Sequence, residues 1–314
     1  MALSTTELQT NLETYTKRTP APGTAGPATG FVFYVGSTVT GATDAAAPFG
    51  TTPAQPYATI DFAVGNCTAN NGDIIYVMPG HNEAITAATS LVVDVAGIQI
   101  IGLGWGNSRP ILDFDNTAGT IEMDAADCRL SNLVINASVS VITVAINVDA
   151  HRITLDNLEF TFEETGDDFL TCIDVDAFDY CTIKDCVFNT ELGATAGTQC
   201  IRLDDSHYDV IQDNRFVGNW TAAPIINLGA LCQGLLIKDN VIYNEDTTVY
   251  GGIDFGALSS TGIVMRNYVT SLYATTLTKL NRTGDMCYMQ NFWTNAVSEA
   301  VPYVSTGVPA TTSV

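Results

Sequence analysis

The chain runs to 314 residues and carries 34 acidic against 12 basic side chains, a formal net charge of -22. That charge repels duplex nucleic acid and anionic membranes, so neither is expected as a partner. With 46% hydrophobic and 15% charged residues, the chain can bury a sizeable core and is not a disordered acidic tail. The N-terminal stretch MALSTTELQTNLETYTKRTP holds neither the apolar run nor the cleavage site of a signal peptide, which predicts synthesis in a cytoplasm. Ser4 and Glu7 form a capping box, and Leu8, Leu12 and Tyr15 make the apolar stripe of a short helix. A lone helix of that length is marginal in water and needs something to pack on. Leu3, Leu8, Leu12 and Tyr15 are therefore the expected docking contacts of an arm, residues 1–30, whose second half TPAPGTAGPATG is a linker by composition.

Beyond the arm, two Gly-bounded apolar runs follow, Gly72–Gly80 and Gly97–Gly102, and then two patterns recur together. The first reads Ile-x-apolar-Asp/Gly: IEMD ending at Asp124, INVD at Asp149, IDVD at Asp176, IRLD at Asp204, INLG at Gly229 and IDFG at Gly256, with TKLN at Asn281 as the last. The second is an acidic or amide anchor, at Asn132, Asn157, Asp185, Asp213, Asp239, Asn267 and Asn291, spaced 24–28 residues apart. Two residues before each anchor stands an apolar residue, from Leu130 to Met265 and Met289. Three after it come Ile135, Phe160, Phe188, Phe216, Ile242, Thr270 and Thr294. Alternation over so few β-branched and aromatic residues is the period of a strand. Such a unit fits one turn of a parallel β-coil, with turns stacked at roughly 4.8 Å and equivalent side chains in ladders. Phe160, Phe188 and Phe216 should stack, Asn214 and Asn240 should form an amide ladder, and Asp, Asn and Gly at strand ends should occupy turns. Cys128, Cys181 and Cys287 share one slot as small buried hydrophobes. Cys172 and Cys200 match on successive turns, where a disulfide is geometrically open.

The upstream runs GDIIYVMPG and GIQIIG, preceded by PYATIDFAVGNC, resemble the opening of right-handed parallel β-helices of the pectate-lyase-like superfamily. The likeness covers about residues 56–295 with the downstream units and implies a short helix before the Gly72–Gly80 strand. The expected fold is all-β, a single-stranded right-handed parallel β-helix. It divides into the arm at 1–30, a capped coil at 31–295 and an extended tail at 296–314. That superfamily holds lyases, hydrolases, phage tailspikes and virion scaffolds, so the fold does not choose the function.

Catalytic chemistry is sparse. Gly102-x-Gly104-x-Gly106 lacks the Lys-Ser/Thr of a phosphate loop and reads as a tight turn. His81, His151 and His207 have no zinc-ligand spacing. A glycosidase needs paired carboxylates, and Asp167 with Asp168, or Asp204 with Asp205, are the candidates. GDDFLTC partly resembles the GDDC element of polygalacturonases, whose Asn-Thr-Asp, Gly-His-Gly and Arg-Ile-Lys elements are missing here. Pectate lyases pair calcium-binding acids with a basic residue, and only Arg202 lies near a carboxylate pair, on a strand where alternation points it outward. Trp220, Tyr243, Tyr250, Tyr268, Tyr273 and Trp293 could line a sugar groove or fill a subunit interface. No catalytic, cofactor or metal residue is assigned, and no cofactor is expected.

A coil without an export signal, flanked by arms, is expected to be a virion structural protein, a capsid decoration, turret or head-fibre protein on the particle surface. The arm would dock on the major capsid protein or another virion protein. The resemblance to phage β-helices implies a homotrimer. A tailspike-like polysaccharide depolymerase, lyase or glycoside hydrolase, and a non-catalytic adhesin for host surface glycan are the alternatives.

Overall fold

The computed structural model describes residues 30–46, 48–190, 197–246, 251–255, 259–271, 280–281, 285–295 and 303–304. The docking contacts Leu3, Leu8, Leu12 and Tyr15 lie outside them, as do Tyr250 and Tyr273. The described chain is a right-handed parallel β-helix. A first sheet of ten strands runs from Val32–Val35 to Asp285–Met289, a second of eight from Leu91–Val92 to Leu280–Asn281, and a third of ten from Asn82–Ala84 to Phe292–Asn295 and Tyr303–Val304. Every pairing is parallel except that of Tyr303–Val304, which runs antiparallel to Phe292–Asn295. Among the described residues no helix is long and apolar enough to cross a membrane.

The coil closes because inward positions are apolar in all three sheets. Ile121, Ile146, Ile173, Ile201, Ile225 and Ile253 form one inward column of the second sheet. In the third sheet Phe160, Phe188 and Phe216 stack face to face, with centroids 4.8 and 4.6 Å apart and planes within 7° and 1°. The rung spacing of a parallel sheet is thus also the stacking distance of an aromatic ring.

The turn from the first sheet to the third is set by one residue in the left-handed region. Asn132, Asn157, Asp185, Asp213 and Asp239 hold it, with φ of 53–58°. The expected anchors Asn267 and Asn291 do not. Arg266 and Gln290 take those positions, with φ of 53° and 51°, and register pairs Lys238 with Met265 and Met265 with Met289. The last two units are therefore shifted by one residue, and a one-residue shift exchanges the faces. Val264, not Met265, continues the inward column of Ile237, and Val269, not Thr270, follows Ile242. Cys287 leaves the slot of the buried Cys128 and Cys181 and lies half-buried on the outer face beside Ile263. The same one-residue correction applies in the second sheet to Ile226, since Ile225 pairs with Ile201, whereas in the last unit Leu280, two residues beyond the expected Thr278, pairs with Ile253.

The displaced asparagines have a use inside. Asn240 Oδ1 accepts from the backbone N–H and Nδ2 of Asn214, both at 3.0 Å. Asn267 Oδ1 does the same for Asn240 at 3.0 and 2.9 Å, and Asn291 Oδ1 for Asn267 at 3.0 Å each. Each Nδ2 also donates to a backbone carbonyl of the coil before, at 2.8–3.0 Å. The expected two-rung ladder thus has four rungs, and burial is affordable because these amides are bonded on every side.

At the N-terminal end, the helix Ile60–Val64 covers the first coils. Thr59 Oγ1 accepts from Phe62 N–H at 3.4 Å, and Glu83 accepts from Ile60 N–H at 3.0 Å. His81 Nδ1 accepts from Ser37 N–H at 2.9 Å, so its proton sits on Nε2, which donates to Glu83 at 2.9 Å. His81 thus ties the first coil to Glu83 and has a structural role. Gly104 and Gly106 have φ of 106° and 56°, the tight turn expected there.

Candidate functional site: an acidic ladder on the second sheet

On the outer face of the second sheet, strand register aligns two columns. One runs Glu122, Asn147, Asp174, Arg202. The other, two residues on, runs Asp124, Asp149, Asp176, Asp204, with Asp176 directly beside Asp204. Register places these carboxylates on successive coils, about 4.8 Å from rung to rung. Asn147 Nδ2 bridges Glu122 and Asp149 at 2.9 Å each. Arg202 Nε donates to Asp174 at 2.6 Å and its Nη2 completes a bidentate pair. Burial pushes Glu122, Asp149 and Asp174 above the ordinary carboxylate range. Neighbouring acids add to this in each case, while Asn147 and Arg202 oppose it.

Glu122, Asp124 and Asp149 bring one oxygen each within 4.8 Å of the others, the one such group among the described residues. Three carboxylates at that spacing could supply part of the oxygen shell of a divalent cation. A solvated acidic stripe has the same geometry. The signal was present in the sequence as the Asp endings of IEMD, INVD, IDVD and IRLD, which sequence reasoning assigned to turns and not to a single outward column.

The two expected acid pairs are not brought together. Asp168 Oδ1 accepts from Val141 N–H at 2.6 Å and its Oδ2 from Gly197 N–H at 2.7 Å, which ties the loops of three successive coils. Asp167 closes its own turn by accepting from Glu164 N–H at 3.2 Å. Asp204 accepts from Ala230 N–H at 2.5 Å and packs on Gly229, where a Cβ would meet its Oδ2 at 2.0 Å. Asp205, in a left-handed turn with φ 46°, is exposed and stands 3.9 Å from His207 Nε2. Asp168 precedes Asp176, the register partner of Asp204, by eight residues. The two pairs are thus roughly 26 Å apart along the strands and stand as separate candidates.

Of the aromatic residues considered for a sugar groove, Trp220 is wholly buried, while Tyr268 is exposed on the third sheet. Tyr180 and Tyr208, which sequence reasoning did not single out, stack at 5.1 Å on the turn between the second and first sheets. A Cβ on Gly234 would meet Tyr208 at 2.6 Å, so that ring lies over Gly234 and one of its faces is already occupied. Cys172 and Cys200 sit side by side within the coil as buried thiols, between the paired residues Thr171 and Gln199 and the paired Ile173 and Ile201.

No protein-family model matches the chain, and no curated protein matches it. It is similar to the structure of a GH136 lacto-N-biosidase from Eubacterium ramulus, at 12% identity and a TM-score of 0.42, over 83% of this chain and 57% of that one. It is also similar to ORF18 of Geobacillus virus E2, at 11% identity and a TM-score of 0.36, over 86% of this chain and 63% of that one. The chain therefore spans less than two thirds of either structure. The β-helix itself rests on the register of the chain's own ladders.

Proposed function

We propose that this chain is a structural protein of a phage particle, a decoration, turret or head-fibre protein that stands on the virion surface as a homotrimer. The observation that carries the proposal is how the acids are used. Asp168 and Asp204, one from each candidate carboxylate pair, both accept backbone amides of neighbouring loops, which supports an architectural role for them. Asn and Phe ladders then run through a coil whose second sheet turns an acidic stripe to solvent, and such a stripe keeps crowded copies apart and hydrated. Residues 1–30 would dock the coil to the particle.

Deleting residues 1–30 should leave a coil with an unchanged circular dichroism spectrum that no longer joins particles. Particles carrying the truncated protein at normal occupancy would refute the docking role. Turnover of anionic glycans by the purified chain would replace the structural assignment with the enzymatic one.

A further inference from the structure

Among the described residues five buried side-chain atoms have no hydrogen-bond partner, and two of them, His207 Nδ1 and Asp209 Oδ2, belong to one turn, residues 205–209 between the second and first sheets. Asp205 and Tyr208 of that turn are both exposed and both in the left-handed region, which a tyrosine enters only under strain. The turn is held shut from inside and from outside. Inside, Asp209 is 2% exposed in the column of Cys181 and Leu235, where its Oδ1 accepts from Cys181 N–H at 2.8 Å and Ser206 adds a second bond. Outside, Tyr208 N–H donates to Gln233 O at 2.7 Å, His207 O accepts from Tyr180 N–H at 2.9 Å, and the Tyr208 ring stacks on Tyr180. His207 N–H also donates to Asp179 Oδ1 at 3.0 Å.

We propose that this turn is a pH-sensitive latch, shut while the Asp209 carboxyl is neutral and released when it ionises, as the carboxylate leaves the coil for water and draws residues 205–208 out with it. A carboxylate kept in that column would hold one oxygen without a donor among apolar side chains, which makes burial of the charge costly. The groups that face it offer no compensation. Asp179, on the preceding coil, repels it, the Cys181 and Cys232 thiols are kept protonated by burial, and among the described residues no lysine or arginine acts on it. Asp205 and His207, the other titratable groups of the turn, stand 3.9 Å from each other. The way out is short, because Asp205 and Tyr208 already lie at the surface. Release also relaxes the Tyr208 backbone and brings His207 Nδ1 to water. The released carboxyl titrates at the ordinary value of about 4, and the latched one at about 7. Release therefore grows as pH rises from about 4 to 7 and is constant above that. It uncovers Cys181, and also Cys232, which lies against Ser206, and it parts the Tyr180–Tyr208 stack.

Hydrogen exchange of the full chain, read by mass spectrometry and corrected for the intrinsic pH dependence of exchange, tests it. In the wild type, opening of the Cys181, Tyr208 and Val210 amides should rise about tenfold per pH unit between pH 5 and pH 7 and then level off, while the amides of strand Val187–Asn189 do not change. Asp209→Asn should remove the rise. Asp209→Leu, which copies Leu235 on the next coil, is the second variant should the first fail to fold. An opening that does not change with pH, a rise shared equally by Val187–Asn189, or one that persists in a folded variant would overturn the latch. The inference goes beyond the proposed function, and since the measurement needs no particle, its failure is separable from failure of the virion assignment.

Discussion

Asp209 stands where the inward column otherwise holds Cys128, Ile153, Cys181 and Leu235. Its Oδ1 accepts from Cys181 N–H at 2.8 Å, and its Oδ2 has no hydrogen-bond partner. Burial pushes its pKa up to about 7, against an ordinary value near 4. The folded state thus holds a proton that the unfolded state has released, and the stability this group contributes below about pH 4 is lost as pH rises through 7. Asp209→Asn keeps the acceptor and removes the titration. Between pH 5 and pH 8 the variant should gain about 3 kcal/mol relative to wild type in urea unfolding, at about 1.4 kcal/mol per pKa unit. An equal response of the two proteins to pH would exclude a buried proton. Asp209 lies 28 residues after Cys181, one repeat on, so its place in the column follows the repeat spacing. Its proton could not be read there, since it follows from the depth of burial, which outweighs the opposing hydrogen bonds from Ser206 and Cys181.

Within a single sheet, Phe160, Phe188 and Phe216 form one buried stack, and Phe188 is its middle member. Phe188→Ala should cost about 3–5 kcal/mol, since the rings above and below are held by their own strands and cannot close the gap. Tyr180→Ala, on an exposed stack, should cost under about 1 kcal/mol by comparison. Denaturant midpoints of the two variants measure the contrast, and similar losses would contradict the ladder. The Phe stack and the Asn214–Asn240 rung were legible because identical side chains recur in one column. The last coils were not, because Val264 with Met265, and Val269 with Thr270, leave either parity tenable. A pattern search also puts Asn in the left-handed turn, where Arg266 and Gln290 actually sit. Backbone conformation fixed the register there, against the usual preference of Asn for such turns.

Across the whole molecule, one face bears the repulsion. Asp149 has its pKa raised by burial and then by Asp124, Asp176 and Asp174. In low salt the folded coil should lose stability as pH rises through the carboxylate range, and added sodium chloride should restore part of it by screening. Asp149→Asn should show a smaller rise of Tm with salt at pH 8 than the wild type. An identical salt response would mean that the stripe's charges do not act together. This stripe was half legible in the sequence: the four Asp endings were seen, but that they share an outer face follows from strand parity and register, which only the assembled sheet supplies.

The asparagine ladder also sets an order in time. Each rung's donors find their acceptor on an asparagine that lies 24–27 residues later in the chain, as Asn214 does on Asn240 and Asn267 on Asn291. While the chain emerges from the ribosome, the newest coil therefore always holds an amide whose partner has not yet been made. Closure trails synthesis by one turn, and a truncation anywhere in this stretch exposes an open donor at the growing end.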